Sequence, residues 1–343
     1  VPRPETAVYM CEHCAGVITE SDKLNMLQHG KWVPTKPDNN YRDTRRSYHI
    51  SSLYSPWESW ANLVQKWLDA QQDPHLLKTF INTALGECWD EESNRVDMND
   101  LRKRAEDYQL RTLPMGALVA TCGVDVQDNR LEAVIWAFGK GEESWAIDYQ
   151  VFFGDPASPR LWDELDEWLQ LELDHQSGTA IKLSAVAIDT GGHHTQMVYD
   201  FCRLRKHRHV IAIKGQSTRN RPVVGRPTNQ DISLKGKTIR GGVQLWPVGS
   251  DTAKSVWYGR FGVDEGAGSV HFSTELDDEF YAQLTAEKLV TRYHKGHPRT
   301  EWVKPSHKRN EVLDCSVYAL AAAYHLGMNK WSAKDWQHVE DQV

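Results

Sequence analysis

Three aspartates of this 343-residue chain have surroundings and spacing that could support metal chemistry. Asp125 lies in the apolar run Cys-Gly-Val-Asp-Val, Asp189 follows four apolar residues in Ala-Val-Ala-Ile-Asp, and Asp314 lies beside the apolar stripe of a predicted helix. A carboxylate buried in such surroundings is costly without a partner. One such residue is usually a cap or an ion-pair partner, whereas three that converge are better explained by a divalent cation. Mg²⁺ prefers oxygen ligands and binds through carboxylates and substrate phosphates.

The segments that carry these aspartates alternate between strand and helix patterns. Apolar runs separated by turns predict three consecutive antiparallel strands between residues 117 and 153. The elements predicted after them are a helix over 161–173, a strand over 184–189, a helix over 194–205, a strand over 210–214 and a closing helix over 310–326. This order places Asp125 on the first strand, Asp189 at the tip of the fourth strand and Asp314 on the closing helix. Residues 215–268 are punctuated by glycine and proline, which predicts hairpins and loops.

The composition is that of a soluble globular protein, because 40% of the residues are apolar and 25% are charged. Disordered and fibrous classes are thereby excluded. Six irregularly spaced cysteines do not make a disulfide framework, which favours a reducing compartment, and no apolar stretch approaches the roughly 20 residues of a membrane span. The net charge is −7, yet basic residues are concentrated from Arg203 to Arg226 and again from Arg292 to Arg309. Because distant acids are screened over about 10 Å, these two runs favour a polyanionic partner over a merely solvated face.

The first 115 residues follow a different pattern. Cys11 and Cys14 form a Cys-x-x-Cys motif in a setting typical of one knuckle of a zinc ribbon. Tetrahedral zinc needs four ligands, and a second Cys-x-x-Cys is missing from the sequence. We therefore expect no bound zinc and interpret the motif as a remnant whose upstream knuckle was cut away. Residues 51–115 predict amphipathic helices, the first of which opens with a capping box at Ser55.

The predicted order of elements resembles the RNase H-like nuclease fold, and several motifs narrow the resemblance to the large terminase subunits of lambda-type phages. The motifs are Gly123-Val124-Asp125-Val126-Gln127, Ile188-Asp189-Thr190-Gly191-Gly192, Lys214-Gly215 and Arg309-Asn310-Glu311-Val312-Leu313-Asp314-Cys315. Residues 53–57 and 77–87 are similar to the segment that follows the motor domain in that family. The resemblance covers nearly the whole chain. No Gly-x-x-x-x-Gly-Lys-[Ser/Thr] phosphate loop occurs, so we expect the nuclease half of the packaging motor without its ATPase domain.

The resemblance implies an endonuclease that hydrolyses phosphodiesters with two Mg²⁺ or Mn²⁺ ions. Asp125 would bridge the two ions, and Asp189 and Asp314 would each complete one metal site. Such an enzyme leaves 5′-phosphate and 3′-hydroxyl ends. Glu311, one turn before Asp314, is either a further ligand or proton carrier, or a partner in an ion pair on the helix surface. Lys214 is either a contact to the scissile phosphate or a structural lysine.

Arg219 and Arg221, together with Lys214, are the candidates for contacts to the DNA backbone. Such contacts position a protein without reading bases, so the choice of cutting site is expected to depend on a partner. Asp251 and Lys254 are predicted to lie in a turn, as an ion pair or a DNA contact. The resemblance implies double-stranded DNA, the small terminase subunit and the portal of the procapsid as partners. It also implies virus assembly in the host cytoplasm, with no membrane association and with dimerisation on DNA as a hypothesis.

The sequence therefore predicts an α/β protein with an RNase H-like mixed sheet flanked by helices, preceded by a helical segment with a zinc-ribbon remnant. The expected divisions are residues 1–50 for the remnant, 51–115 for a helical linker, 116–330 for the nuclease domain and 331–343 for a tail that docks on another assembly component. Three other classes stay open: an RNase H-like transposase, integrase or resolvase, a non-catalytic DNA-binding assembly module, and a zinc-ribbon adaptor.

Overall fold

The computed structural model of the chain describes residues 3–11, 14, 16–33, 48–70, 74–87, 97–216, 218, 220–234, 237–294, 297–306 and 308–343. The chain divides into two compact units, Val1–Ser93 and Asn94–Val343. This division falls earlier than the expected boundary between residues 115 and 116. The segment after residue 93 contacts the large sheet of the second unit, and the expected tail belongs to the same unit.

The first unit is small and mostly helical. Its elements are β1 (Tyr9–Met10), β2 (Val17–Ile18), α1 (Glu20–Gln28), α2 (Trp60–Ala70), α3 (Pro74–Phe80) and a π-helical turn (Ile81–Leu85). The capping box predicted at Ser55 is wrong, because α2 begins at Trp60. The Ser59 hydroxyl accepts a hydrogen bond of 3.1 Å from the Asn62 backbone N–H and therefore caps that helix.

The second unit contains a large sheet and seven helices among the described residues. Its strands are β3 (Ala105–Glu106), β4 (Thr112–Leu113), β5 (Val119–Val126), β6 (Arg130–Phe138), β7 (Ser144–Phe153), β8 (Leu173–His175), β9 (Ala180–Ile181), β10 (Ala185–Asp189), β11 (Val210–Gln216), β12 (Thr228–Leu234), β13 (Lys237–Gly249), β14 (Val270–Ser273), β15 (Lys288–His294) and β16 (His297–Val303). Its helices are α4 (Met98–Lys103), α5 (Pro159–Leu169), α6 (Thr195–Leu204), α7 (Ser250–Phe261), α8 (Asp278–Leu284), α9 (Glu311–His325) and α10 (Ala333–Glu340).

The large sheet has the strand order β12-β13-β11-β10-β5-β6-β7-β14-β3. Strands β5, β6 and β7 form an antiparallel meander, and β10 pairs with β5 in parallel, followed by β11 and β13. The order β7-β6-β5-β10-β11 is that of an RNase H-like sheet. The predicted fold class, an α/β protein with a mixed sheet flanked by helices, is confirmed.

Helices cover both faces of this sheet, as the alternation of side chains along β5 shows. Cys122 and Val124 belong to the apolar cluster that includes Phe201 of α6. Because successive side chains of a strand point to opposite faces, Gly123 and Asp125 face the other layer, where α9 packs on β5, β6 and β10. The result is a three-layer arrangement with the predicted acids on the α9 face.

Gly123 lets α9 approach the backbone of β5 directly. A Cβ atom at this position would lie 1.9 Å from the Cys315 carbonyl oxygen and 2.6 Å from the Ala319 backbone nitrogen. On the same strand, the Thr121 hydroxyl donates a hydrogen bond of 2.8 Å to the Ala319 carbonyl oxygen. These contacts fix α9 on β5, so the first turn of α9 lies beside the end of the strand that carries Asp125.

The prediction that residues 215–268 form only hairpins and loops is wrong in one part. They include α7, whose buried residues recur at helical spacing: Ala253, Lys254, Trp257, Tyr258 and Phe261. The last helix, α10, buries Trp336 in the main core with only 5% of its surface exposed. Among the described residues, no helix has both the length and the apolar character that crossing a membrane requires.

Candidate active site

Asp125 and Asp189 lie side by side at one edge of the sheet. In the parallel pairing of β5 and β10, Val124 is the partner of Ile188, and each aspartate is the next residue on its strand. Neighbouring strands are about 4.8 Å apart, and paired residues of adjacent strands point to the same face. Both carboxylates therefore lie on the α9 face of the sheet.

Asp125 is buried among negative charges. Only 5% of its surface is exposed, and the side-chain amide of Gln127 donates a hydrogen bond to its Oδ2 atom. Burial raises the pKa of Asp125 to about 8, and the negative charges of Asp314, Asp189 and Glu311 add to this effect against the Gln127 hydrogen bond. Among the described residues no ion pair to Asp125 occurs, so the Gln127 hydrogen bond is the contact that stabilises its ionised form.

Asp189 ends β10 at a turn whose backbone N–H groups face the carboxylate. The Gly191 N–H donates a hydrogen bond of 3.0 Å to Asp189 Oδ2. Burial raises the pKa of Asp189, although the N–H groups of residues 190, 191 and 215 and the charge of Lys214 act in the opposite direction. Lys214 is exposed on β11, and its charge is close enough to influence Asp189.

Asp314 lies in the first turn of α9, next to Asp125 and Asp189. We call the surface that these three carboxylates form the acidic face. Its Oδ1 atom is 3.1 Å from Lys254 Nζ, and its Oδ2 atom accepts a hydrogen bond of 2.8 Å from Asn310 Nδ2. Burial raises the pKa of Asp314, Lys254 lowers it, and the charges of Glu287 and Asp189 raise it further. The three predicted aspartates thus interact electrostatically across β5, β10 and α9.

Lys254 occupies the centre of a closed cluster that consists of Lys254, Glu287, Asn310 and Asp314. Lys254 Nζ lies 2.6 Å from Glu287 Oε1, which also accepts a hydrogen bond of 2.7 Å from Asn310 Nδ2. Burial lowers the pKa of Lys254, but Asp314 and Glu287 outweigh burial, so its pKa is raised and the ammonium stays charged. The prediction that Lys254 lies in a turn is wrong, since it belongs to α7. Glu287 was not predicted from the sequence, because no local pattern marks this residue.

A second buried network lies on the other side of Asp125. Glu132, which is fully buried, is the direct cross-strand partner of Asp125. It accepts hydrogen bonds of 2.5 Å from Arg130 Nε and 2.6 Å from the Tyr149 hydroxyl, and it pairs with Arg309. Glu132 was not predicted as a site residue, although it is a single acid within the apolar pattern of β6 and that pattern could have indicated it.

Glu311 is held by this second network. Arg130 Nη2 donates a hydrogen bond of 2.9 Å to Glu311 Oε1, and Arg309 Nε lies 3.3 Å from Glu311 Oε2. Of the two interpretations left open for Glu311, the contacts favour the ion pair. The pair is buried rather than on the helix surface, because Glu311 is only 8% exposed.

The donor chemistry of the acidic face suits a hard divalent cation, because all of its candidate ligands are carboxylate oxygens. Within the described residues, however, no three His, Cys, Asp or Glu side chains are grouped closely enough to hold one metal ion. Oxygens of Asp125 and Asp314 are instead engaged by Gln127, Lys254 and Asn310. A metal site here would need these side chains to exchange their present partners.

The remaining predicted contacts are spread over the surface. Arg221 is exposed, and its carbonyl oxygen accepts a hydrogen bond of 2.7 Å from the Thr252 hydroxyl on α7. Arg219 lies outside the described residues. Cys11 directly follows β1, Cys14 lies between β1 and β2, and the Cys11 N–H donates a hydrogen bond of 2.9 Å to the Gly16 carbonyl oxygen. In the described part of the chain no further ligand completes a zinc site around them.

Comparison with known proteins gives one consistent result. Residues 45–336 match the family model described as terminase large subunit gpA, endonuclease domain. The chain is 32% identical to the large terminase subunits of Enterobacteria phage P21, over 358 aligned residues, and Escherichia phage lambda, over 352. Both alignments cover 96% of this chain and 53% of the relative, so the chain spans about half the length of these proteins. No solved structure matches the chain significantly.

Proposed function

Because this chain belongs to the family of terminase large subunits with a gpA-type endonuclease domain, we propose that it is a metal-dependent endonuclease that cuts concatemeric double-stranded DNA during packaging. The observation that carries the metal dependence is the convergence of Asp125, Asp189 and Asp314 on one face of the sheet. A buried acidic face with too little positive charge favours binding of a cation.

In this proposal Asp125, Asp189 and Asp314 are the residues that would hold two Mg²⁺ or Mn²⁺ ions. Ions held by these carboxylates would activate a water molecule and would neutralise negative charge at the scissile phosphate. The arrangement of Glu132 and Glu311, both paired with arginines, supports their assignment as structural residues rather than ligands.

The other residues of the face position the three carboxylates and the DNA. Lys254 and Asn310 orient Asp314, and the Gly191 N–H orients Asp189. Lys214 emerges from β11 near Asp189 and is exposed, which suits a contact to a backbone phosphate. Arg221, held on α7 through its carbonyl oxygen, is the second candidate for such a contact.

Nicking of supercoiled plasmid with Mg²⁺ or Mn²⁺ tests the proposal. We expect Asp125→Asn to lower the nicking rate by about a thousandfold or more, because a proposed metal ligand is lost. Asp128→Asn is the matched control, since Asp128 lies three positions along the same segment and is 81% exposed. Its rate should stay within about twofold of the wild type. A wild-type chain that binds DNA but nicks with neither metal would favour the non-catalytic assembly module.

Family membership also motivates proposals about assembly. The small terminase subunit and the portal of the procapsid are the partners, and the host cytoplasm is the compartment. A staggered cut in two strands needs two active sites, so the chain would act as a dimer on DNA. Footprinting that finds one monomer on each cleaved duplex would contradict the dimer.

A further inference from the structure

A basic cavity of about 200 Å³ lies at the end of the parallel strands remote from the three aspartates. Residues 210–212, at the start of β11, line it, whereas Lys214 near the other end of β11 is next to Asp189. His325, the last residue of α9, also lines the cavity. His325 lies eleven positions after Asp314 along α9, which corresponds to about 16 Å. The cavity is therefore separate from the candidate active site.

The polar lining of this cavity is almost entirely basic. Its lining includes Arg203, Lys206, His209 and His325 together with the neutral Gln244, and Trp246 packs edge-on against the His325 ring with 4.5 Å between ring centroids. Of the described residues that line the cavity, none is acidic. The nuclease proposal makes no use of these cations, although Arg203 and Lys206 belong to the basic run of the sequence.

Two neighbouring arginines of the same segment are paired with an acid, whereas no ion pair of Arg203 or Lys206 occurs among the described residues. Arg205 Nη2 donates a hydrogen bond of 2.9 Å to Asp166 Oδ2, and Arg208 pairs with the same aspartate. Within the described part of the chain, Arg203 Nε and His325 Nδ1 are buried without a hydrogen-bond partner. Both residues line the cavity, and because buried polar groups normally have a partner, an anion bound there would place an acceptor near them.

We propose that this cavity is a phosphate-binding site in which Arg203, Lys206 and His325 contact the anion. Guanidinium and ammonium groups are the side chains that bind phosphate most strongly, because their hydrogen bonds are charge-assisted. The volume suits one phosphate group rather than a large ligand. Burial lowers the pKa of His325, and the neighbouring His209 lowers it further, so the ring gains a proton most readily when an anion is present. The phosphate is either free inorganic phosphate or part of the DNA backbone.

Calorimetric titration with inorganic phosphate tests the site in the full chain. We expect Arg203→Gln and Lys206→Gln each to weaken phosphate binding by about tenfold, because each removes one charge-assisted contact. Lys182→Gln is the matched control, since Lys182 is exposed and pairs with Glu172 outside the cavity. Lys206 is also exposed, so Lys206→Gln keeps the test decisive if Arg203→Gln fails to fold.

Binding of a 20-base-pair duplex in EDTA distinguishes the two sources of phosphate. If the DNA backbone is the source, each variant loses one phosphate contact. The slope of log K for duplex binding against log salt concentration should then become shallower by about one. If free phosphate is the source, the duplex affinities should be equal while phosphate binding is still weakened. The proposal is overturned if Arg203→Gln and Lys206→Gln behave like the wild type and Lys182→Gln in both assays. This includes the outcome in which no protein, wild type or variant, binds inorganic phosphate and all bind the duplex equally. Loss of nicking activity plays no part in this test, so its outcome is independent of the nuclease proposal.

Discussion

Lys254 on α7 and Asp314 on α9 form an ion pair of 3.1 Å inside the acidic face, and the same ammonium group contacts Glu287 at 2.6 Å. This lysine is the buried cation through which the site compensates two of its carboxylates. The pair also joins two helices that are far apart in sequence, so it contributes to both the stability of the face and the orientation of Asp314.

Lys254→Met tests the stabilising role of this cation. We expect the free energy of unfolding in EDTA to fall by about 3 kcal/mol, because Glu287 and Asp314 would remain buried without a counter-charge. Chemical denaturation measures the change. Lys103→Met is the control, because the Lys103–Asp100 pair is exposed and its loss should leave the free energy of unfolding nearly unchanged. Equal losses in the two variants would contradict a special role for the buried pair.

Asp125→Asn should stabilise the metal-free chain while it abolishes nicking. An amide at this position removes a buried acid whose pKa is raised to about 8 by burial and by neighbouring acids. We expect a gain of roughly 1 kcal/mol or more at pH 8 in EDTA, which corresponds to a rise of a few degrees in melting temperature. A lower melting temperature than that of the wild type would show that the Asp125 carboxylate contributes to folding instead.

Gly123→Ala should be strongly destabilising. The new Cβ atom would meet the Cys315 carbonyl oxygen at 1.9 Å, and a backbone atom of a packed helix cannot move aside cheaply. We expect a loss of about 3 kcal/mol or more, or a chain that does not fold. Gly259→Ala in α7 is the matched control, because no atom lies within 4 Å of its added Cβ and alanine favours the helix. Thermal melting of both variants gives the comparison.

Asp166 should make the stability of the chain depend on pH in acid. Burial raises the pKa of this carboxyl, but hydrogen bonds and charges from Arg205 and Arg208 outweigh burial, so its pKa lies below the usual value. The group therefore adds stability above the unfolded pKa of about 3.9, and this stability is lost as the pH falls through the folded pKa. Asp166→Asn should show a smaller loss of stability between pH 5 and pH 2 than the wild type.

The control for this pH dependence is Asp163→Asn, since Asp163 is exposed on the same helix. Denaturation at a series of pH values should give parallel curves for Asp163→Asn and the wild type. If the curve of Asp166→Asn is parallel to them as well, the two arginines do not stabilise the carboxylate of Asp166.

The sequence patterns predicted the central strands well because those strands are apolar on both faces. The three strands predicted between residues 117 and 153 are β5, β6 and β7, and the observed bounds differ from the predicted ones by one residue at one end of β10 and at both ends of α9. Helix α7 was missed because glycines at residues 249, 259 and 262 suggested turns, and because its buried side includes a lysine. The apolar spacing of a helix was present in this segment, but the glycines led to the prediction of turns.

The candidate site was predictable only where an acid interrupts an apolar element. Asp125, Asp189 and Asp314 have that local signature. Glu287 does not, since its role depends on contacts with Lys254 and Asn310 that no local pattern encodes. Metal binding by the three aspartates stays a prediction, because their present partners are side chains and backbone N–H groups of the protein.

The direct contact between α9 and β5 at Gly123 limits how cutting could be controlled. A helix seated on a bare strand backbone cannot slide or rotate by one residue without a collision, so the spacing of the acids at its start is set once, when the chain folds. Under the proposed endonuclease activity, cleavage would be timed by the arrival of substrate and ions, or by rearrangement of side chains such as Lys254, rather than by movement of the helix.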